Sequence, residues 1–160
     1  MEHSFTVARE IYEDQAQLLR FMSDCGIPIP RELKAAAEVA LNGLLRQSLA
    51  APEIDQANIQ SYLDEMRIAG IPLDQAGLEI VLRRNLEHGA ARFFEDPQNL
   101  ALLTKLRDNL IAARSLPFPL VLWSVQNRCY ELLRNIDPQA DPAWVARCRE
   151  LAGLLQLATE

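Results

Sequence analysis

Hydrophobic and polar residues follow the three-and-four spacing of amphipathic helices along almost the whole chain. Between Phe5 and Cys25, Ala8, Ile11, Tyr12, Gln15, Leu18, Leu19 and Met22 keep that spacing, and Gly26 is placed to stop the helix. Ile27-Pro28-Ile29-Pro30 forces an extended corner, because a residue before proline is pushed out of the helical region. A second helix, through about Leu49, carries Leu33, Ala36, Ala37, Ala40, Leu41 and Leu44, and its alanine-rich face lets a neighbour come close. Asp55 is a good N-cap for a third helix, with Ile59, Tyr62, Leu63 and Met66 inward and Gly70 at its end. After Ile71-Pro72-Leu73, Asp74 caps a fourth helix marked by Leu78, Val81, Leu82, Leu86 and Phe93, in which Gly89 weakens the last turns. Asp96-Pro97 reads as N-cap and first-turn proline of a fifth, with Leu100, Leu103, Leu106, Leu110 and Ala113 along one side.

The stretch Leu116–Ile136 is predicted to be the organising element, its two prolines marking the helix start. Leu122, Val125, Cys129, Leu132, Leu133 and Ile136 form a broad apolar face, and Trp123, Asn127 and Tyr130 a second stripe beside it. A helix apolar over that much of its surface is expected at the centre, with Trp123 in the core. Gln126 and Asn127 are then the anomaly, since a buried amide without partners costs about 1–3 kcal/mol. Asp141-Pro142 starts a last helix over about residues 142–157, with Trp144, Cys148, Leu151 and Leu155 on one face. No run of four to eight residues alternates strictly enough for a half-buried strand. The prediction is an all-α chain of about seven helices, in a bundle or a short stack of helical hairpins, forming one domain over residues 1–160.

The corners Ile27-Pro28, Ile71-Pro72 and Leu116-Pro117 recur at an interval of about 44 residues, each between two helices, which is in the range of helical repeats. Helices of similar length produce the same interval without any repeat, and beyond apolar phase the helices share little.

Composition narrows the partners. A formal net charge of -6 works against a surface that tracks phosphates, so nucleic acid is not expected. No run approaches the roughly 20 apolar residues that span a bilayer, and no export signal precedes the first helix. Cys25, Cys129 and Cys148 are odd in number and contain no C-x-x-C pair, and Cys25 and Cys129 sit where the helix patterns place apolar residues, so they read as small buried hydrophobes in a reducing cytoplasm. The length suffices to bury roughly 70% of the unfolded surface, without a metal or disulfide. The opening MEHSF is unlike a domain start, and a partner segment is expected upstream of it.

Local catalytic patterns are missing. The histidines are His3, expected at a frayed terminus, and His88, expected on a solvated flank, and neither has cysteine or carboxylate help at zinc spacing. There is no glycine-rich phosphate loop and no nucleophile elbow. Carboxylates such as Glu13, Asp14, Asp64 and Glu65 fall on polar helix sides. Glu38 interrupts the alanine-rich region and is the carboxylate to watch. Together with Trp123, Gln126 and Asn127 it forms either a hydrogen-bond cluster that fixes helix register or a small site, in which Trp123 would stack on a sugar ring. No catalytic residue, metal ligand or cofactor site is assigned.

Two motifs carry a resemblance: Ile27-Pro28-Ile29-Pro30 running into Leu33-Lys34-Ala35-Ala36-Ala37-Glu38, and Leu116-Pro117-Phe118 running into Leu122-Trp123-Ser124-Val125-Gln126-Asn127, with Tyr130 beyond. Over about residues 5–136 the chain resembles the helical domain of unknown function that follows the catalytic barrel in a subset of glycoside hydrolase family 57 proteins. The resemblance implies a cytoplasmic α-glucan-active parent whose catalytic carboxylates lie in an upstream barrel. It leaves Glu38, Trp123, Gln126, Asn127 and Tyr130 as motif positions without a role. Three readings follow: a non-catalytic accessory domain packed on that barrel, a stand-alone helical-repeat interaction module, or a small metal-free enzyme built around Glu38, Gln126 and Asn127.

Overall fold

Several helix ends fall at the local signals that the sequence carries, and the starts of two helices do not. A computed structural model describes residues 2–156, and of Glu2 and His3 the backbone only, so the expectation for the His3 side chain lies outside the described residues. Among the described residues there are seven helices and no strand: α1 (Glu2–Asp24), α2 (Arg31–Ala50), α3 (Gln56–Ala69), α4 (Gln75–Glu95), α5 (Leu100–Ala113), α6 (Trp123–Arg134) and α7 (Pro142–Leu154). Asp55 caps α3 by accepting from the amides of Ala57 and Asn58, and Asp141 caps α7 through Ala143. Asp74 accepts from the amide of Gly77 at 3.1 Å at the start of α4. Gly89 lies within α4, which continues unbroken to Glu95.

The exceptions are the starts of α5 and α6. Asp96 does not cap α5; its backbone carbonyl and its carboxylate accept from Asn99, and Asn99 caps the helix by accepting from the amides of Ala101 and Leu102. The helix expected from Leu116 begins only at Trp123 and has 12 residues. Leu116 and Phe118 each precede a proline, which disfavours the helical region at both, and the chain bends at 116–118 and stays non-helical until Trp123.

The described residues group into two compact units. The first comprises the chain up to Ala50 with Asp55–Leu78, and the second Ala51–Ile54 with the chain from Glu79 on; the division falls within α4. In the first unit α1, α2 and α3 pack on one another. Ala37 and Ala40 are fully buried, and the Phe5 ring of α1 lies directly against the α2 backbone at Gly43, where a Cβ would collide with it. The alanine-rich face does admit a close neighbour. In the second unit α7 packs on both α5 and α6, around Phe93, Leu103, Leu106, Val125, Cys129, Cys148 and Leu151, all at most 2% exposed. The Trp144 indole donates to the carbonyl of Pro97 at 2.7 Å, satisfying its one polar atom.

Two of the three corners are alike in detail. Gly26 and Gly70 both take the left-handed conformation, at φ 66° and 61°. In both, the next isoleucine closes a six-residue turn: Ile27 N–H donates to Met22, and Ile71 N–H to Met66, each at 2.8 Å. The third corner has Ser115 in the glycine's place and a looser turn, Leu116 N–H donating to Ala113 at 3.2 Å.

Candidate functional site

The buried amides of this chain are not those the pattern singles out. Among the described residues, Asn42 on α2 and Asn109 on α5 are the buried polar side chains, each 7% exposed. Asn42 donates to the carbonyls of Glu38 and Pro72 and accepts from the amide of Asp74 at 2.8 Å. Asn109 repeats the device, donating to the carbonyl of Pro52 at 3.1 Å and accepting from the amide of Ile54 at 3.0 Å. Each spans a proline carbonyl and the amide two residues on, so one side chain supplies both partners that an extended corner lacks. Asn85 adds a bond to the carbonyl of Ala51 at 2.8 Å. Among the described residues no buried side-chain polar atom is left without a partner.

Glu38 is exposed on α2 in the first unit. Gln126, in the second, is half-buried, and its amide donates to the Leu155 carbonyl at 2.9 Å. Asn127 is exposed. The two amides thus have different environments, and Gln126 is engaged in joining α6 to the end of α7. Trp123 corrects the expectation most sharply: it is 73% exposed, and Tyr130 is 48% exposed. Of α6 only Val125 and Cys129 are buried, so it packs along one stripe and is not enclosed. Trp123, Asn127 and Tyr130 share its outward face, spaced at one and two helical turns. The Arg134 guanidinium lies 5.7 Å from the Tyr130 ring centre.

Concavities offer little chemistry. A cavity of about 240 Å³ in the second unit is walled mainly by Leu110, Leu116, Phe118, Leu122 and Leu155, with Gln126 in the wall and no acidic side chain. It is below the roughly 300–1,000 Å³ of pockets that enclose drug-sized ligands. A wider groove along α5, about 800 Å³, holds Glu53, Lys105 and Asp108. Those carboxylates are 85% and 55% exposed and already pair, Glu53 with Lys105 at 3.5 Å and Asp108 with Arg107 at 2.8 Å. His88 is exposed. Among the described residues no group of three or more histidine, cysteine or acidic side chains could hold a metal ion.

Burial does alter three titrating groups. It raises the Glu65 carboxyl, despite the ion pair with Arg20, because the arginine is itself 62% exposed and screened. It pushes the Cys129 thiol up to about 12, with neighbouring Cys148 adding to the effect, and Cys148 up to about 11. These are protonated, inert thiols, the opposite of an activated nucleophile.

The site and fold thus define an all-α protein whose outward aromatic stripe is unclaimed by its core. No protein family, curated protein or solved structure matches the chain. No helix among the described residues is long and apolar enough to cross a membrane.

Proposed function

We propose that this chain is a non-catalytic helical binding module, the accessory domain of a glycoside hydrolase family 57-like, α-glucan-active protein, and that the α6 stripe Trp123, Asn127 and Tyr130 is its contact face with the catalytic barrel. The observation that carries the reading is the 73% exposure of Trp123. A large aromatic held in water costs solubility and gives nothing to the core, whereas tryptophan, tyrosine and arginine are the residues that dominate contact surfaces. The second of the two motifs on which the resemblance rests contains Trp123 and Asn127, with Tyr130 just beyond, which supports the reading. A cytoplasmic setting agrees with three free thiols, one of them exposed.

Trp123 reports on its own face, because the other tryptophan, Trp144, is 5% exposed. Adding a separately produced family 57-type barrel should shift the Trp123 emission to the blue and shield it from acrylamide, and Trp123→Ala should weaken the complex by about thirtyfold, the effect of losing a hot spot. Turnover of maltooligosaccharides by this chain alone would contradict the reading. A stand-alone helical-repeat interaction module is the second reading, favoured by the matching corners at Gly26 and Gly70. It predicts the same shielding of Trp123 by a partner that is not a glycosidase.

A further inference from the structure

Helix α1 has more apolar surface than its unit covers. Ala8, Tyr12 and Leu19 are buried, but Val7, Ile11, Leu18 and Phe21 are between 42% and 60% exposed, and Cys25 just past the helix is exposed too. In sequence, Val7, Ile11, Asp14, Leu18, Phe21 and Cys25 follow one another at alternating steps of four and three. That is the seam of a two-stranded coiled coil, with a carboxylate in one core position. The 23 residues of α1 extend over roughly 34 Å, room for about three heptads.

Charge decides what fits the seam. Glu10 borders it and Asp14 stands in it, both exposed, and among the described residues neither has an ion-pair partner. The two arginines of α1 are engaged elsewhere, Arg9 with Glu13 at 2.6 Å and Arg20 with Glu65 of α3. By helical spacing both point away from the seam. A second copy of α1 would therefore enclose Asp14 with no cation to meet it, and an anionic lipid surface would face the same carboxylates.

We propose that the outward face of α1 is a docking seam for an amphipathic helix of another protein, one that matches its heptads with apolar residues and carries lysine or arginine opposite Asp14 and Glu10. This surface belongs to the first unit and stands independently of the role proposed for α6 in the second.

The test uses the full chain and two synthetic helical peptides of about three heptads with identical apolar positions. One carries lysine at the edges and at the position meeting Asp14, the other glutamate at the same places. Fluorescence anisotropy should show the lysine peptide binding at least about tenfold tighter, with the difference shrinking as salt is added. Leu18→Asp should abolish that binding while leaving the far-ultraviolet circular dichroism and thermal midpoint unchanged, and Asp14→Lys should reverse the preference. Equal affinity for both peptides, binding to neither, or binding indifferent to Leu18→Asp overturns the proposal. So does concentration-dependent dimerisation in sedimentation that Leu18→Asp removes, which would make the occupant a second copy. Association with phosphatidylglycerol vesicles through the same residues would overturn it in favour of a lipid surface.

Discussion

The proline corners and the outward face of α6 both set polar side chains beside apolar ones, and they use them in opposite ways. At the corners, Asn42 and Asn109 are enclosed, and donor and acceptor of each amide meet a backbone group that the turn leaves unpaired. On α6, Trp123, Asn127 and Tyr130 face water beside a stripe that buries only Val125 and Cys129. An amide on a largely apolar helix is therefore structural when the fold encloses it, and open to a partner when the fold leaves it outside. Residue type alone does not separate the two cases.

The two tryptophans sharpen that contrast most. Trp144→Ala removes a buried ring and its bond to Pro97, and should cost about 3–5 kcal/mol in chemical denaturation. Asn42→Ala strips the partners from the Pro72 carbonyl and the Asp74 amide, and the expected loss is about 1–3 kcal/mol; a loss under 0.5 kcal/mol, within the roughly neutral range of surface changes, would deny the corner its clamp. The buried thiols give a pH signature. Their folded values, about 12 for Cys129 and about 11 for Cys148, lie above the ordinary thiol range near 9. Raised values mean that the stabilisation is whole below the unfolded value and lost as pH climbs through 9 towards 11–12. The slope is about 1.4 kcal/mol per pH unit for each thiol. Denaturation curves of Cys129→Ala should show a shallower alkaline decline than the parent. Gly70→Ala, at a left-handed cap, should cost about 1 kcal/mol, the same order as Gly26→Ala at the matching corner.

Several helix ends were legible because their causes are local: Asp55 and Asp141 hold amides two or three residues ahead, and Gly26 and Gly70 let the turn close on carbonyls a few residues behind. The start of α6 was not, since prolines that can open a helix also disfavour it at the residues before them, Leu116 and Phe118. Periodicity gave the apolar arcs of α1 and α6 but not which part of each is covered. Ile11 and Leu18 read as one face with Ala8, Tyr12 and Leu19, yet an arc that wide cannot be enclosed by the neighbours α1 has. The asparagine clamps join residues about 30 to 60 apart in sequence, and their only trace was an amide beside a leucine on an otherwise apolar helix face, at Leu41-Asn42 and Asn109-Leu110. Glu38 attracted notice for the same reason and proves to contribute its backbone carbonyl to Asn42.

The smallest expected effect is the most direct test of the claim that α6 turns a working face to solvent. Comparing the denaturation midpoint of Trp123→Ala with that of the parent should reveal a change within about 0.5 kcal/mol, as for other surface positions. A loss of about 3 kcal/mol or more, the size expected of a buried ring, would place Trp123 in the core and contradict the account.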